Sequence, residues 1–121
     1  MTEEQIKLFK GTFLSMILDQ MHSNIYISDT ETDEILYMNQ TMKRAFGLED
    51  PEGKHCWKVL QKGMDRRCEF CHIDLLKKGE EGNESTWRES NALTGRSYQN
   101  YDSLLRWDGR TYHIQDSVDV T

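Results

Sequence analysis

Asp108-Gly109 stands between two runs, Arg96 to Arg106 and Arg110 to Val120, that mix aromatic and aliphatic residues with polar ones, and no other feature of the chain constrains its fold as tightly. A two-residue Asp-Gly link favours a type I′ turn, which needs positive φ at both central residues and folds its flanking strands into an antiparallel hairpin. Thr94-Gly95 sits at the same kind of position after Glu84 to Leu93. Three consecutive strands are therefore predicted at the C-terminal end.

Two more strands are predicted earlier. Asn24-Ile25-Tyr26-Ile27-Ser28 alternates apolar with polar residues, and Ile35-Leu36-Tyr37-Met38 is nearly continuous in apolar character, as a strand covered on both faces would be. The polar loop Asp29 to Glu34 joins them as a hairpin. Asn39 and Thr41 can cap a short helix through Met42 and Ala45 to Phe46, with Gly47 where a left-handed residue would end it. Cys56, Val59 and Leu60 share one helical face, and Ile73, Leu75 and Leu76 suggest a further short helix ended by Gly79.

At the N-terminus, Thr2-Glu3-Glu4-Gln5 fits a capping box. Ile6, Phe9, Phe13 and Met16 form one apolar stripe behind it, and Leu14, Ile17 and Met21 form a second. That face is wider than one core contact needs, so residues 1–22 are expected to form an amphipathic cap helix that packs on the domain and can pair with a second copy of itself. Residues 23–121 form the remaining domain. The class is α+β.

Length and charge narrow the function. A chain of 121 residues fits one domain that buries about two-thirds of its unfolded surface. Its 36% hydrophobic and 30% charged residues suit a globular domain and leave no run long enough to span a membrane. A formal net charge of -6 argues against a nucleic-acid surface, which needs a clustered basic face; only Lys62, Arg66 and Arg67 offer one. The N-terminus has neither the basic nor the apolar region of a signal peptide, and an odd number of cysteines does not suit a secreted disulfide framework, so a cytoplasmic location is expected.

All 3 cysteines and two of the 4 histidines lie between Gly53 and His72. The thiols run Cys-x11-Cys-x2-Cys as Cys56, Cys68 and Cys71. Closely spaced Cys68 and Cys71 can hold one ion from a turn while Cys56 returns from an earlier element, and His72 or His55 can close a Cys3His tetrahedron suited to zinc. The alternative is three reduced thiols packing as small apolar groups. Cys68-Glu69-Phe70-Cys71-His72 also spells the attachment pattern of c-type haem. A redox thiol pair beside Arg66 and Arg67 is a third option, without the βαβ surroundings that thioredoxin-like chemistry wants. His22 and His113 have no ligand partner in the sequence and read as structural. Trp87, Tyr98, Tyr101, Trp107 and Tyr112 read as sheet-face core. Glu80 with Glu81, and Asp116 with Asp119, read as solvated decoration.

The order helix, two strands, short helices, three strands resembles a PAS domain, with a five-stranded antiparallel sheet, short helices on one face and an N-terminal cap helix. Asn39 ahead of a helix ending in Phe46-Gly47 resembles the PAS strand-to-helix junction, and Asp119-Val120-Thr121 resembles the terminal Asp-Ile-Thr signature. Asp33-Glu34 departs from the usual Asp-Gly of the first hairpin. Gly53 to Leu60 with Cys68 to Cys71 is similar to a cysteine-bearing PAS subgroup found ahead of diguanylate cyclases and sensor histidine kinases. The spacing also resembles an iron-sulfur PAS domain with four cysteines, one of which falls here on Gly53. The resemblance implies a non-catalytic bacterial sensor that responds to a small ligand, metal or redox state and signals to a C-terminal effector. It implies a homodimer through the N-terminal helix and candidate cofactors zinc, an iron-sulfur cluster or haem at Cys56, Cys68, Cys71 and His72. The competing classes are a dimerisation module that senses nothing and a thiol redox protein.

Overall fold

The described residues of the computed structural model are 2–4, 13–61, 63 and 84–121. Along the chain they form α1 (Phe13–Asp19), β1 (Asn24–Asp29), β2 (Ile35–Met38), α2 (Gln40–Phe46), α3 (Cys56–Leu60), β3 (Glu84–Asn91), β4 (Arg96–Trp107) and β5 (Arg110–Asp119). The strands make one sheet in the order β2-β1-β5-β4-β3, with every neighbouring pair antiparallel. The first and last strands in sequence thus meet at its centre.

Local sequence accounts for most of the joints. Asp108 and Gly109 both take positive φ, 52° and 76°, and bring Trp107 opposite Arg110. The β3–β4 link is longer than the expected two-residue turn. Asn91 is the last residue paired, with Arg96 opposite, because its side-chain oxygen accepts from the amides of Leu93 (2.9 Å) and Thr94 (3.3 Å) and folds the backbone away from the ladder. Gly95 then closes the loop at φ 69°. In the first hairpin Asp33, at φ 63°, takes the left-handed position that a glycine would otherwise fill.

Asn39 caps α2 through a 3.1 Å bond from the Met42 amide, and Gly47 ends it at φ 66° with its amide on the Lys43 carbonyl. The same Asn39 side-chain oxygen accepts from the Ile25 amide at 3.1 Å, and its amide group donates to the carbonyls of Leu18 and Ser23, both at 3.0 Å. One buried side chain therefore joins α1, β1 and α2.

Strand β2 explains its unbroken apolar character. Tyr26 pairs with Met38 and Ile27 with Tyr37, but Ser28 pairs with Ile35, so Leu36 is the extra residue of a bulge. Ile35 and Met38 then point to the inner face with Tyr26, Met42, Cys56 and Leu60, while Leu36 and Tyr37 point to the outer face with Ile27 and Tyr112. Helices α2 and α3 cover the inner cluster. Helix α1 covers part of the outer one, with Leu18 packed on it and the Tyr37 hydroxyl donating to the Ser15 carbonyl and to Asp19. Full burial of each such aliphatic side chain stabilises the fold by roughly 1.5–3 kcal/mol.

Of the five strand aromatics expected in the core, Tyr98 and Tyr112 are buried, at 2% exposure each, whereas Tyr101 and Trp107 are about half exposed, at 48% and 50%. Tyr101 and Trp107 lie on the alternation opposite Tyr98, on the outer face of β4. The helix expected from Thr2 is described only at Glu3–Glu4 and as α1; its residues Ile6 and Phe9, and the helix expected at Ile73 to Leu76, lie outside the described residues.

Candidate functional site

A cavity of about 50 Å³ lies between the inner face of β3, β4 and β5 and the helices α2 and α3. Its walls come from Met42 and Phe46 of α2, Trp57 and Leu60 of α3, and Tyr26 of β1. Phe46 stacks on Tyr98, with ring centroids 5.9 Å apart. Helix α3 is held in place by backbone pairing. The Gly53 amide donates to the Ile35 carbonyl (2.8 Å), the Ile35 amide to Lys54 (2.8 Å) and the Cys56 amide to Asp33 (2.8 Å), which covers the free edge of β2 and delivers Cys56 to the cavity wall.

The floor is polar, and sheet register builds it. Asn24, Ser117, Asn100 and Trp87 form one row across four strands, and Tyr26, Gln115 and Asp102 form the next. Ser28 and His113 make a third. Asp102 is the hub: one carboxylate oxygen accepts from the His113 Nε2 and from the Gln115 amide at 3.0 Å, the other from the Trp87 indole. Since Nε2 faces a carboxylate, it carries the proton, and Nδ1 faces the Ser28 hydroxyl at 3.4 Å. The His113 ring packs edge-on against Tyr26, centroids 5.7 Å apart. Burial alone would push the Asp102 carboxyl upward, but the hydrogen bond and charge of His113, with the donors of Gln115 and Trp87, hold it below the usual aspartate value. Asp102 is thus a buried carboxylate at neutral pH.

Glu89 is the second floor carboxylate. It accepts from Asn100 at 3.1 Å through one oxygen and from Gln61 at 2.7 Å through the other. Ser117 donates to Asn100 at 2.7 Å, and Asn91 donates to the Leu60 carbonyl at 2.9 Å, tying β3 to the end of α3.

These residues were not evident as a site in the sequence. His113 read as structural, yet it belongs to the cavity floor, and Trp87 lines the cavity instead of packing in the core. The signal was present as Asn100 and Asp102, then His113, Gln115 and Ser117, polar residues at alternate positions of adjacent strands. Periodicity does not say which alternation faces inward, and apolar Tyr101 and Leu105 on the other alternation favour the wrong one.

Of the expected metal ligands, Cys56 begins α3, is buried at 9% exposure and lines the cavity. Cys68, Cys71 and His72 lie outside the described residues. Among the described residues no group of three His, Cys, Asp or Glu is placed to hold a metal. His55, the other candidate fourth ligand, is exposed and stacks on Trp57 with centroids 4.7 Å apart. Of the carboxylates expected on a solvated face, Asp119 pairs with Arg96 at the surface, whereas one oxygen of Asp116 is buried without a partner.

No family model and no curated protein matches this chain. Solved structures do. The PAS domain of nitrogen regulation protein NR(II) from Vibrio parahaemolyticus is 16% identical with a TM-score of 0.70, over 90% of this chain and 99% of that one. The PAS domain of the HTR-like protein from Haloarcula marismortui is 13% identical with a TM-score of 0.68, over 88% of this chain and 94% of that one. The quorum-sensing receptor RpfR PAS domain from Cronobacter turicensis, solved in complex with C12:0, is 13% identical with a TM-score of 0.60, over 84% and 97%. The chain has the PAS fold, an α+β arrangement with a five-stranded antiparallel sheet. No helix among the described residues is long and apolar enough to cross a membrane.

Proposed function

We propose that this chain is a sensory, non-catalytic PAS domain that receives a small ligand in the cavity and passes its state through β5 to an effector following Thr121. One observation carries the reading: three inward residues of the last strand, His113, Gln115 and Ser117, line the cavity. The end of that strand is fixed to the sheet by Arg96 on Asp119 and by the Ser97 amide on the Thr121 hydroxyl, 2.9 Å. A ligand that binds two arrangements of this floor unequally would shift the exit of the chain between them. A domain of like fold holds C12:0, which supports occupancy of such a cavity by fold analogy alone. A diguanylate cyclase or histidine kinase is the effector that the resemblance to the cysteine-bearing PAS subgroup implies, in the cytoplasm of a bacterial cell. The proposal extends to the thiols, with Cys56, Cys68, Cys71 and His72 as a set for zinc or an iron-sulfur cluster.

Amide spectra of the full chain, recorded with a panel of anionic, neutral and cationic small molecules, test the sensory reading. At least one compound should move the resonances of residues 113–120. A panel that leaves them all unmoved would overturn it in favour of the second reading, a dimerisation module. That alternative rests on α1, where Phe13, Leu14 and Met16 stand 76%, 52% and 65% exposed.

A further inference from the structure

The cavity floor has a definite polarity. Two carboxylates, Asp102 and Glu89, face it, and no lysine or arginine lines it among the described residues. Asp102 is saturated by His113, Gln115 and Trp87. Glu89 receives only neutral amide donors, from Asn100, Gln61 and, at 3.5 Å, Asn91, so its charge has no ionic partner among the described residues.

Gln115 adds an acceptor beside these carboxylates. Its side chain is 8% exposed and lines the cavity. Its amide nitrogen is committed to Asp102, which fixes the orientation of the group because a carboxylate can only accept. The carbonyl oxygen of the same amide accepts no hydrogen bond from the described residues and is not sealed off from solvent, so at the cavity wall it can take a donor from water or from a ligand. Ser117, whose hydroxyl proton goes to Asn100, adds further acceptor capacity nearby in the same strand. What this floor offers a ligand is acceptors and the negative charge of Glu89.

The walls fit the same occupant. Tyr26, Phe46, Trp57 and Trp87 all line the cavity, and aromatic faces attract cations as well as apolar bodies. The volume of about 50 Å³ is several times the ~10–15 Å³ that one water needs, which suits a short molecule. We infer that the cavity recognises a small protonated amine, its ammonium group donating to the Gln115 carbonyl and the Glu89 carboxylate and its short apolar body lying against the aromatic wall. This rests on the ligand-sensing reading above and names the ligand class for it.

The test is an amide-resonance titration of the full chain with n-butylammonium, butyrate and butan-1-ol, which share a four-carbon body and differ in charge. Butylammonium should move the resonances of Glu89, Gln115 and Ser117 and bind at least about tenfold more tightly than either comparison compound. Glu89→Gln keeps the shape and removes the charge, and should weaken butylammonium binding about tenfold or more. Gln115→Met removes the acceptor and should weaken it further. Should Gln115→Met fail to fold, Glu89→Gln decides, since Glu89 is only half-buried. Equal or tighter binding of butyrate or butanol would overturn the amine assignment and leave the sensory reading standing. Unaltered butylammonium affinity in a folded Glu89→Gln protein would overturn it as well, as would binding of none of the three, whereas only silence across the wider panel would remove the sensory reading.

Discussion

Replacing Asn39 with alanine should be among the most damaging single changes in this protein. The side chain is wholly buried, and its two ends are occupied without ambiguity. The oxygen meets two N–H groups, of Ile25 and Met42, and the nitrogen meets two carbonyls, of Leu18 and Ser23. Loss of the cap on α2 costs about 1 kcal/mol. Each of the other three groups, left without its partner in a dry setting, costs on the order of 1 kcal/mol or somewhat more. Asn39→Ala should therefore destabilise the domain by about 3–5 kcal/mol, a large share of the 5–15 kcal/mol that holds a typical domain. With a urea slope near 2 kcal/mol per molar, the unfolding midpoint by circular dichroism should fall by about 2 M at unchanged slope. Asn39→Ser, which retains an N-cap oxygen, should recover about 1 kcal/mol. A cost for Asn39→Ala no greater than that of an ordinary exposed cap, about 1 kcal/mol, would refute the reasoning that this side chain joins three elements.

Acid should unfold the domain through its depressed carboxylates. For Asp102, burial is outweighed by His113, Gln115 and Trp87; for Asp29, it is outweighed by Arg110; and Asp119, bonded to Arg96 and Thr121, lies at about 2. Their stabilisation is complete above the unfolded value near 3.9 and is lost as pH falls through the lower folded values, so melting temperature should drop below about pH 4 and Asp102→Asn should flatten that decline. A melting profile equally steep in Asp102→Asn would count against this account. Asp102→Ala at neutral pH, which strands His113, Gln115 and Trp87, should cost about 3–5 kcal/mol in a denaturant titration. Metal analysis of protein purified without oxygen should find less bound metal per chain in Cys68→Ser than in the unaltered chain; equal content would remove Cys68 from the ligand set. Met16→Ser on α1 should lower the mass measured by sedimentation at a fixed concentration, and a monomer in both proteins would dismiss pairing through this face.

What the sequence determined is whatever local chemistry decides. Asp108-Gly109 tolerates positive φ at both residues better than most pairs do, and it turns β4 into β5. Asn39 and Gly47 mark the two ends of α2 because capping needs only a side-chain acceptor and a residue tolerant of left-handed backbone. The apolar continuity of Ile35 to Met38 marks a strand covered on both sides, although the bulge at Leu36 that sends neighbours to opposite clusters is invisible without its partner strand. What only the tertiary structure decided is which face of β3, β4 and β5 turns inward. Tyr101 and Leu105 compete with Asn100 and Asp102 for that role, and period-two alternation is symmetric between them. Helices α2 and α3 break the symmetry by covering one face. The Asp108-Gly109 turn already sets Asp102 beside Gln115 and Asn100 beside Ser117, but Tyr26 meets Gln115 only because the first strand pairs with the last, a meeting that no spacing along the chain encodes.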